Sequence, residues 1–273
     1  NVEKAHRNVV VWYCPIERCM CHPIDRGPIN DGFYAITDGI RKWHQIATEV
    51  YFYDYCSATG FGLPTDVLTI AATVRAAQRL GVKGVMVDTI GNLPSGFGFL
   101  QYWLRAQLLR NPHFDAEGGL SEFLNAYYGA ASRHIGDFIR LVSAPTNFEP
   151  MPAETANIWT TADSPNRKDL VYGCHLGYRR LAGHAIEEGY ALFEQALQAT
   201  AADAKARLHV EAAKIVLQVA MLEHLPADDP RLKEEATRLL SMASRLEMPF
   251  IRRTPVKEYR EQIGQKLGVE LGE

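Results

Sequence analysis

Nowhere does this chain hold an apolar run of about 18 residues, the length a membrane-spanning helix needs. No basic excess is present either: 29 Lys and Arg stand against 32 Asp and Glu, a net charge of −3. No basic patch with interleaved aromatics occurs, so neither a membrane nor a nucleic acid is expected as a partner. Cysteine is scarce, five residues in 273, with Cys14, Cys19, Cys21 and Cys56 towards the amino end and Cys174 apart. An odd, bunched set of this kind excludes the framework of a small disulfide-stapled domain. A signal-like segment and an initiating Met are also lacking, which reads as a fragment or a processed chain beginning at Asn1. What is there is ordinary globular composition, long enough for one large domain or two average ones.

The densest chemistry lies in Cys14–Asp25, CPIERCMCHPID, directly after the apolar run Val9–Tyr13. Five apolar residues in succession predict a fully buried strand. The loop that follows carries Glu17, Arg18, Cys19, Cys21, His22 and Asp25. Parallel α/β proteins place their sites at the carboxyl ends of strands, where this loop would sit. A structural loop in which Arg and Asp pair fits the same residues. Cys14, Cys19, Cys21 and His22 also raise a Cys/His metal site, but structural zinc sites pair their ligands twice and the second pair is missing. No metal and no cofactor is therefore expected, and the metal site stands as an alternative.

Two further strands are legible. Glu49–Tyr55 is rich in aromatic and β-branched residues, and Gly84–Asp88 is a short apolar run after Gly81-Val82-Lys83. Between them, Thr65–Leu80 has apolar residues at helical spacing, which makes Tyr51–Asp88 a β-α-β unit with parallel strands. A short helix over Asp38–Thr48 would join the first strand to the second. From Phe97 onward the pattern turns helical. Phe99 to Leu109 forms one face, and Leu120 to Val142 another of about 25 residues. Helices are also predicted over Leu170–Thr200, Asp203–Glu223, Arg231–Leu246 and Pro255–Lys266, with no strand signal between them. The expected fold class is α/β followed by all-α. Its units would be a three-stranded β/α part over 1–115 and a helical domain over 116–273, with a proline-rich loop near 145–168. Three parallel strands are too few to stand alone, since such a sheet needs both faces covered and eight strands close a barrel.

Five segments together carry a family resemblance: PIERCMCHPID (15–25), YFYDYC (51–56), RLGVKGVMVD (79–88), LRAQLLRNPHFD (104–115) and FLNAYYGAASRHIGDFIRL (123–141). In this order they resemble the bacterial family catalogued as domain of unknown function 4838, most specifically at Arg18–Pro23 and Leu124–Gly129. That family is placed among glycoside-hydrolase TIM barrels of large, often secreted, carbohydrate-active proteins. The resemblance implies the last three strands of a (β/α)8-type barrel followed by a helical region. It also implies a missing amino-terminal part of the same protein and a secreted or periplasmic location. One departure is evident: the family commonly has Glu after the last strand, in a sequence like V-F-E-Q-G, where this chain has Asp88. The shorter side chain would stand about 1.5 Å further from a substrate atom.

Glycoside hydrolysis generally uses two carboxyls across the scissile bond, about 5–5.5 Å apart for retention and about 6.5–9.5 Å for inversion. At the strand ends, Asp54 and Asp88 are the candidate catalytic carboxylates. Asp54 has a parity opposite to Tyr53 and Tyr55, so only one of these two sets can face inward along a regular strand. An Asp54 that instead caps a helix or pairs with Arg18 is the structural alternative. Arg18 offers a planar fork for a carboxylate such as that of a uronic acid. His22, stiffened by Pro23, together with Asp25, Trp12, Tyr53 and Tyr55, completes the candidate sugar-binding set. Tyr127-Tyr128-Gly129 is assigned to mid-helix packing. The expected function is thus the carboxyl-terminal part of a glycoside-hydrolase-like protein with a carbohydrate partner. The isolated chain is expected to be inactive, because the general acid of related barrels follows a fourth strand that is absent here. A non-catalytic carbohydrate-binding or scaffold module is the alternative.

Overall fold

A computed structural model describes residues 4–15, 22–26, 36–55, 63–88, 97–150, 179–251 and 254–272. Strands β1 (Val10–Tyr13), β2 (Glu49–Tyr55) and β3 (Val85–Asp88) form a parallel sheet in the order β1-β2-β3. The register sets Val11 against Val50, Phe52 against Val85 and Asp54 against Val87. Helix α1 (Ile36–Ile46) lies between β1 and β2, and α2 (Ile70–Arg79) between β2 and β3, as parallel neighbours require. The expected β-α-β unit is therefore present. Its helix starts at Ile70 rather than Thr65 because Thr65–Thr69 form turns. In those turns the Asp66 carbonyl accepts the N–H groups of Thr69 (2.8 Å) and Ile70 (3.0 Å). Gly81, at φ +79°, ends α2 in a conformation only glycine adopts cheaply and turns the chain towards β3.

The two faces of the sheet differ. Val50 and Phe52 are fully buried with Ile24, Ile36, Ile40 and Ala77, and Val11, Tyr13 and Val85 pack against that cluster. On the other face Val10, Trp12 and Met86 are exposed. The expectation of a fully buried first strand is thus corrected. β1 alternates, with one set of side chains against helices and the other set open, because no described element covers the second face.

The rest is mainly helical: α3 (Gly98–Arg110), α4 (Ala116–Tyr128), α5 (Ser132–Ser143), α6 (Gly183–Ala199), α7 (Ala204–His224), α8 (Leu232–Arg245) and α9 (Val256–Leu267). Asp115 caps α4 by accepting the Gly118 N–H at 3.0 Å, and Asp203 caps α7 through the Lys205 and Ala206 N–H groups. The larger core runs from Leu63 to Ile263, with α7 nearly surrounded. It includes Leu100, Leu104 and Leu108 of α3, so α3 packs into the helical core that α4 to α9 complete. No described helix is long and apolar enough to cross a membrane.

Two corrections concern this part. The continuous face over Leu120–Val142 is two helices, broken by a 3-10 turn at Gly129–Ala131 where Gly129 has φ +54°. Tyr127 and Tyr128 therefore end a helix rather than lie in its middle. Short strands also interrupt the helices: β4 (Phe148–Pro150) pairs antiparallel with β5 (Arg179–Leu181), and β6 (Phe250–Ile251) with β7 (Thr254–Pro255). Two or three residues are too few to carry an alternating pattern, so the sequence holds no strand signal there. The first part of the helix expected from Leu170 lies outside the described residues.

Candidate functional site

Around the carboxyl end of β2 the fold gathers a buried polar cluster. Asp54 shares its face with Val50 and Phe52, so its carboxylate enters the helix-packed layer rather than the open face. The turn before α2 delivers Asp66, and α3 delivers Gln101 and Arg105, four residues apart and therefore on one side of the helix. Gln101 Nε2 donates to Asp66 Oδ1 at 2.8 Å, and Arg105 Nη2 donates to Asp66 Oδ2. The same Nη2 stands 3.7 Å from Asp54 Oδ2. Asp54 is 4% exposed and Arg105 3%.

One guanidinium between two buried carboxylates locks α3 against the strand end and the turn before α2. A general base must come within hydrogen-bond reach of the proton it removes. Asp54 meets Arg105 on the helix-packed side of the sheet, opposite the open face. Asp66, Gln101 and Arg105 were not legible as site residues. Nothing local marks Gln101 and Arg105, because α3 also carries Gln107 and Arg110 and no sequence signal separates the two pairs.

The open face carries the aromatic candidates. Trp12 is 46% exposed and stacks on Tyr51, with ring centroids 4.9 Å apart and planes 27° apart. The Tyr51 hydroxyl donates to Glu49 Oε2 at 3.3 Å, and that carboxylate raises the phenol's pKa. Register places Tyr53 beside Met86 and Tyr55 beside Asp88. Trp12, Tyr51 and Tyr53 thus share one face, and Asp54 and Asp88 are not cross-strand partners. Tyr51, which the sequence did not single out as a ligand residue, proves to be the neighbour of Trp12.

In the loop after β1, Asp25 accepts from Arg79 Nη2 at 2.6 Å and ties residues 22–26 to the end of α2. Ile24 is fully buried between the half-buried His22 and Asp25. Asp25 is thereby engaged in an ion pair, and His22 lies beside the anchored turn. Arg18, Glu17, Cys19 and Cys21 fall outside the described residues. Cys14 is an exposed thiol donating to the Trp12 carbonyl at 3.4 Å, and partial burial raises its pKa. No group of three or more His, Cys, Asp or Glu with metal-binding geometry occurs among the described residues.

No curated protein and no solved structure matches the chain. The profile of one family, described as "Domain of unknown function (DUF4838)", matches residues 1–140, half of the chain. The match covers the sheet, the β2–α2–α3 polar cluster and the open aromatic face. By that match, the chain belongs to the DUF4838 family.

Proposed function

We propose that this chain is the carboxyl-terminal part of a carbohydrate-active, glycoside-hydrolase-like protein. In this reading β1, β2 and β3 are the last strands of a (β/α)8-type barrel. Their open face and carboxyl ends line a sugar-binding cleft.

The observation that carries it is the Trp12–Tyr51 stack, held half-exposed on a face of the parallel sheet that no described element covers. In a barrel the face away from the helices is the packed interior, so the stack would meet a ligand where it reaches the mouth at the carboxyl ends of the strands. An aromatic platform presents an apolar surface of the kind that meets the C–H face of a sugar ring, and Tyr and Trp also offer polar tips. Asp88, in register with Tyr55 at the strand ends, is the proposed catalytic carboxylate. Asp54 holds the strand end through Arg105. Arg18, His22 and Asp25 belong to the loop that would close over the sugar. The Arg18 fork favours a carboxylate-bearing sugar such as a uronic acid.

Titration of the chain's tryptophan fluorescence with acidic and neutral oligosaccharides tests the reading. A saturable change that Trp12→Ala abolishes supports it, and no change with any of the sugars overturns it. The chain alone is expected to turn over no aryl glycoside. Sugar binding without turnover by the longer protein as well would select the non-catalytic binding module.

A further inference from the structure

Helix α7 is the axis of the helical core, yet it carries one polar stripe: Arg207, Glu211, Lys214 and Gln218. At spacings of four, three and four these residues fall on a single face. That face opens into a groove of 640 Å³ between α6, α7 and α8, walled on the α8 side by Thr237, Arg238, Ser241 and Arg245. A central helix gains nothing in packing from such a stripe, because burying charge costs more than burying carbon unless every charge is answered.

The floor of the groove answers its own charges. Lys214, 3% exposed, donates to Glu194 at 2.9 Å and to Glu235 at 3.0 Å, and stands 4.5 Å over the Tyr190 ring. Glu235, 1% exposed, also accepts from Gln218 at 2.8 Å and from Arg238 at 3.1 Å. Arg238 donates in addition to Glu234 at 2.6 Å, so two cations, Lys214 and Arg238, stand against three carboxylates, Glu194, Glu234 and Glu235.

At the mouth the ratio is reversed. There, Arg207 and Arg245 share the single carboxylate of Glu211. Arg207 Nε donates to Oε1 at 3.1 Å, while Arg245 Nη1 stands 3.7 Å from Oε2. The Leu197 carbonyl, 3.3 Å from Arg207 Nη1, holds that guanidinium in place. Among the described residues Arg245 has no other ion pair. At the mouth two guanidiniums therefore face one carboxylate, with planar donors lining a groove large enough for a small molecule.

We propose that this groove binds a small oxyanion, a carboxylate or a phosphate group, between Arg207 and Arg245, and that Glu211 occupies the place of that anion in its absence. The bound group takes over the guanidinium donors that Glu211 now shares, with Thr237 and Ser241 available beside it for hydroxyls. A salt bridge that served only stability would be weakened by removing Glu211. An anion site with an internal competitor is strengthened by it.

Calorimetric titration of the full chain with inorganic phosphate and, separately, with succinate tests this. Glu211→Gln is expected to tighten binding of the preferred anion about tenfold, the worth of one charge-assisted hydrogen bond. Arg245→Gln, at an exposed position, is expected to weaken it about tenfold. Preference for phosphate over succinate, or the reverse, identifies which oxyanion the groove takes. No binding of either probe by the wild-type chain and Glu211→Gln overturns the proposal. Binding that Glu211→Gln leaves unchanged or weakens overturns it as well.

Discussion

Arg105 Nη2 lies 3.7 Å from Asp54 Oδ2 and bonds directly to Asp66, so one buried guanidinium serves two carboxylates from different elements. The strand end, the turn before α2 and α3 are therefore coupled electrostatically as well as by packing. Removing the cation takes away the positive charge that stands between two buried carboxylates. Arg105→Met is expected to destabilise the chain by about 3–5 kcal/mol. Asp54→Asn, at the longer distance and with Arg105 still bonded to Asp66, is expected to cost less than Arg105→Met. Urea unfolding of the two variants checks the order; equal losses would show that the contribution of Arg105 runs through Asp54 rather than Asp66.

Trp12 stands on the open face, and its contact with Tyr51 is a surface stack. Trp12→Ala is expected to cost about 0.5–1.5 kcal/mol while removing the response to sugar. A cost of several kcal/mol in thermal unfolding would mean that the ring is covered in solution.

Glu235 supplies a pH dependence. Burial pushes its carboxyl up, but the Gln218 hydrogen bond and the charges of Lys214 and Arg238 outweigh that and hold it below its ordinary 4.5. A carboxyl whose pKa falls on folding adds stability above its unfolded value, and this stability is lost as pH drops through the folded one. Asp229, lowered by the Arg231 hydrogen bond, acts in the same sense. Thermal stability is therefore expected to hold from neutrality down to the ordinary carboxylate range and to fall below it. Glu235→Gln should flatten that fall. Circular-dichroism melts across acid pH check it, and an equal fall in the variant would assign the effect to other groups.

Gly129 links α4 to α5 at φ +54°, ψ −127°, a region that L side chains avoid. A Cβ there would meet no atom closer than Ala206 Cβ at 3.7 Å, so the cost is conformational rather than steric crowding. Gly129→Ala is expected to destabilise by about 1–3 kcal/mol, measured by urea unfolding. A neutral result would mean that the helix break does not need this backbone conformation.

The parts legible in the sequence were those with a local signature. The β-α-β unit was written in the alternation of apolar runs, helical spacing and Gly81. The later helices were written in periodicity over 12 to 21 residues, long enough to average out exceptions. The break at Gly129 was hidden because apolar spacing continues across it, so that Leu124 and Ile135 read as one face. Strands β4 to β7 were hidden by their shortness. Asp54 was legible as a strand-end carboxylate, but its partner was not. Arg105 lies 51 positions away on another helix, and nothing local distinguishes it from a surface arginine.

By itself the sequence determined the family, the parallel β-α-β unit and the helical character of the second half, because each rests on local pattern or motif order. Tertiary structure alone decided which face of the sheet is covered, that Asp54 turns away from Tyr53 towards Arg105, and that charges from α6, α7 and α8 meet in one groove. Local pattern specifies which way a side chain points along its own element. What stands opposite is set by the packing of elements distant in the chain, and burial and charge pairing depend on that opposite wall.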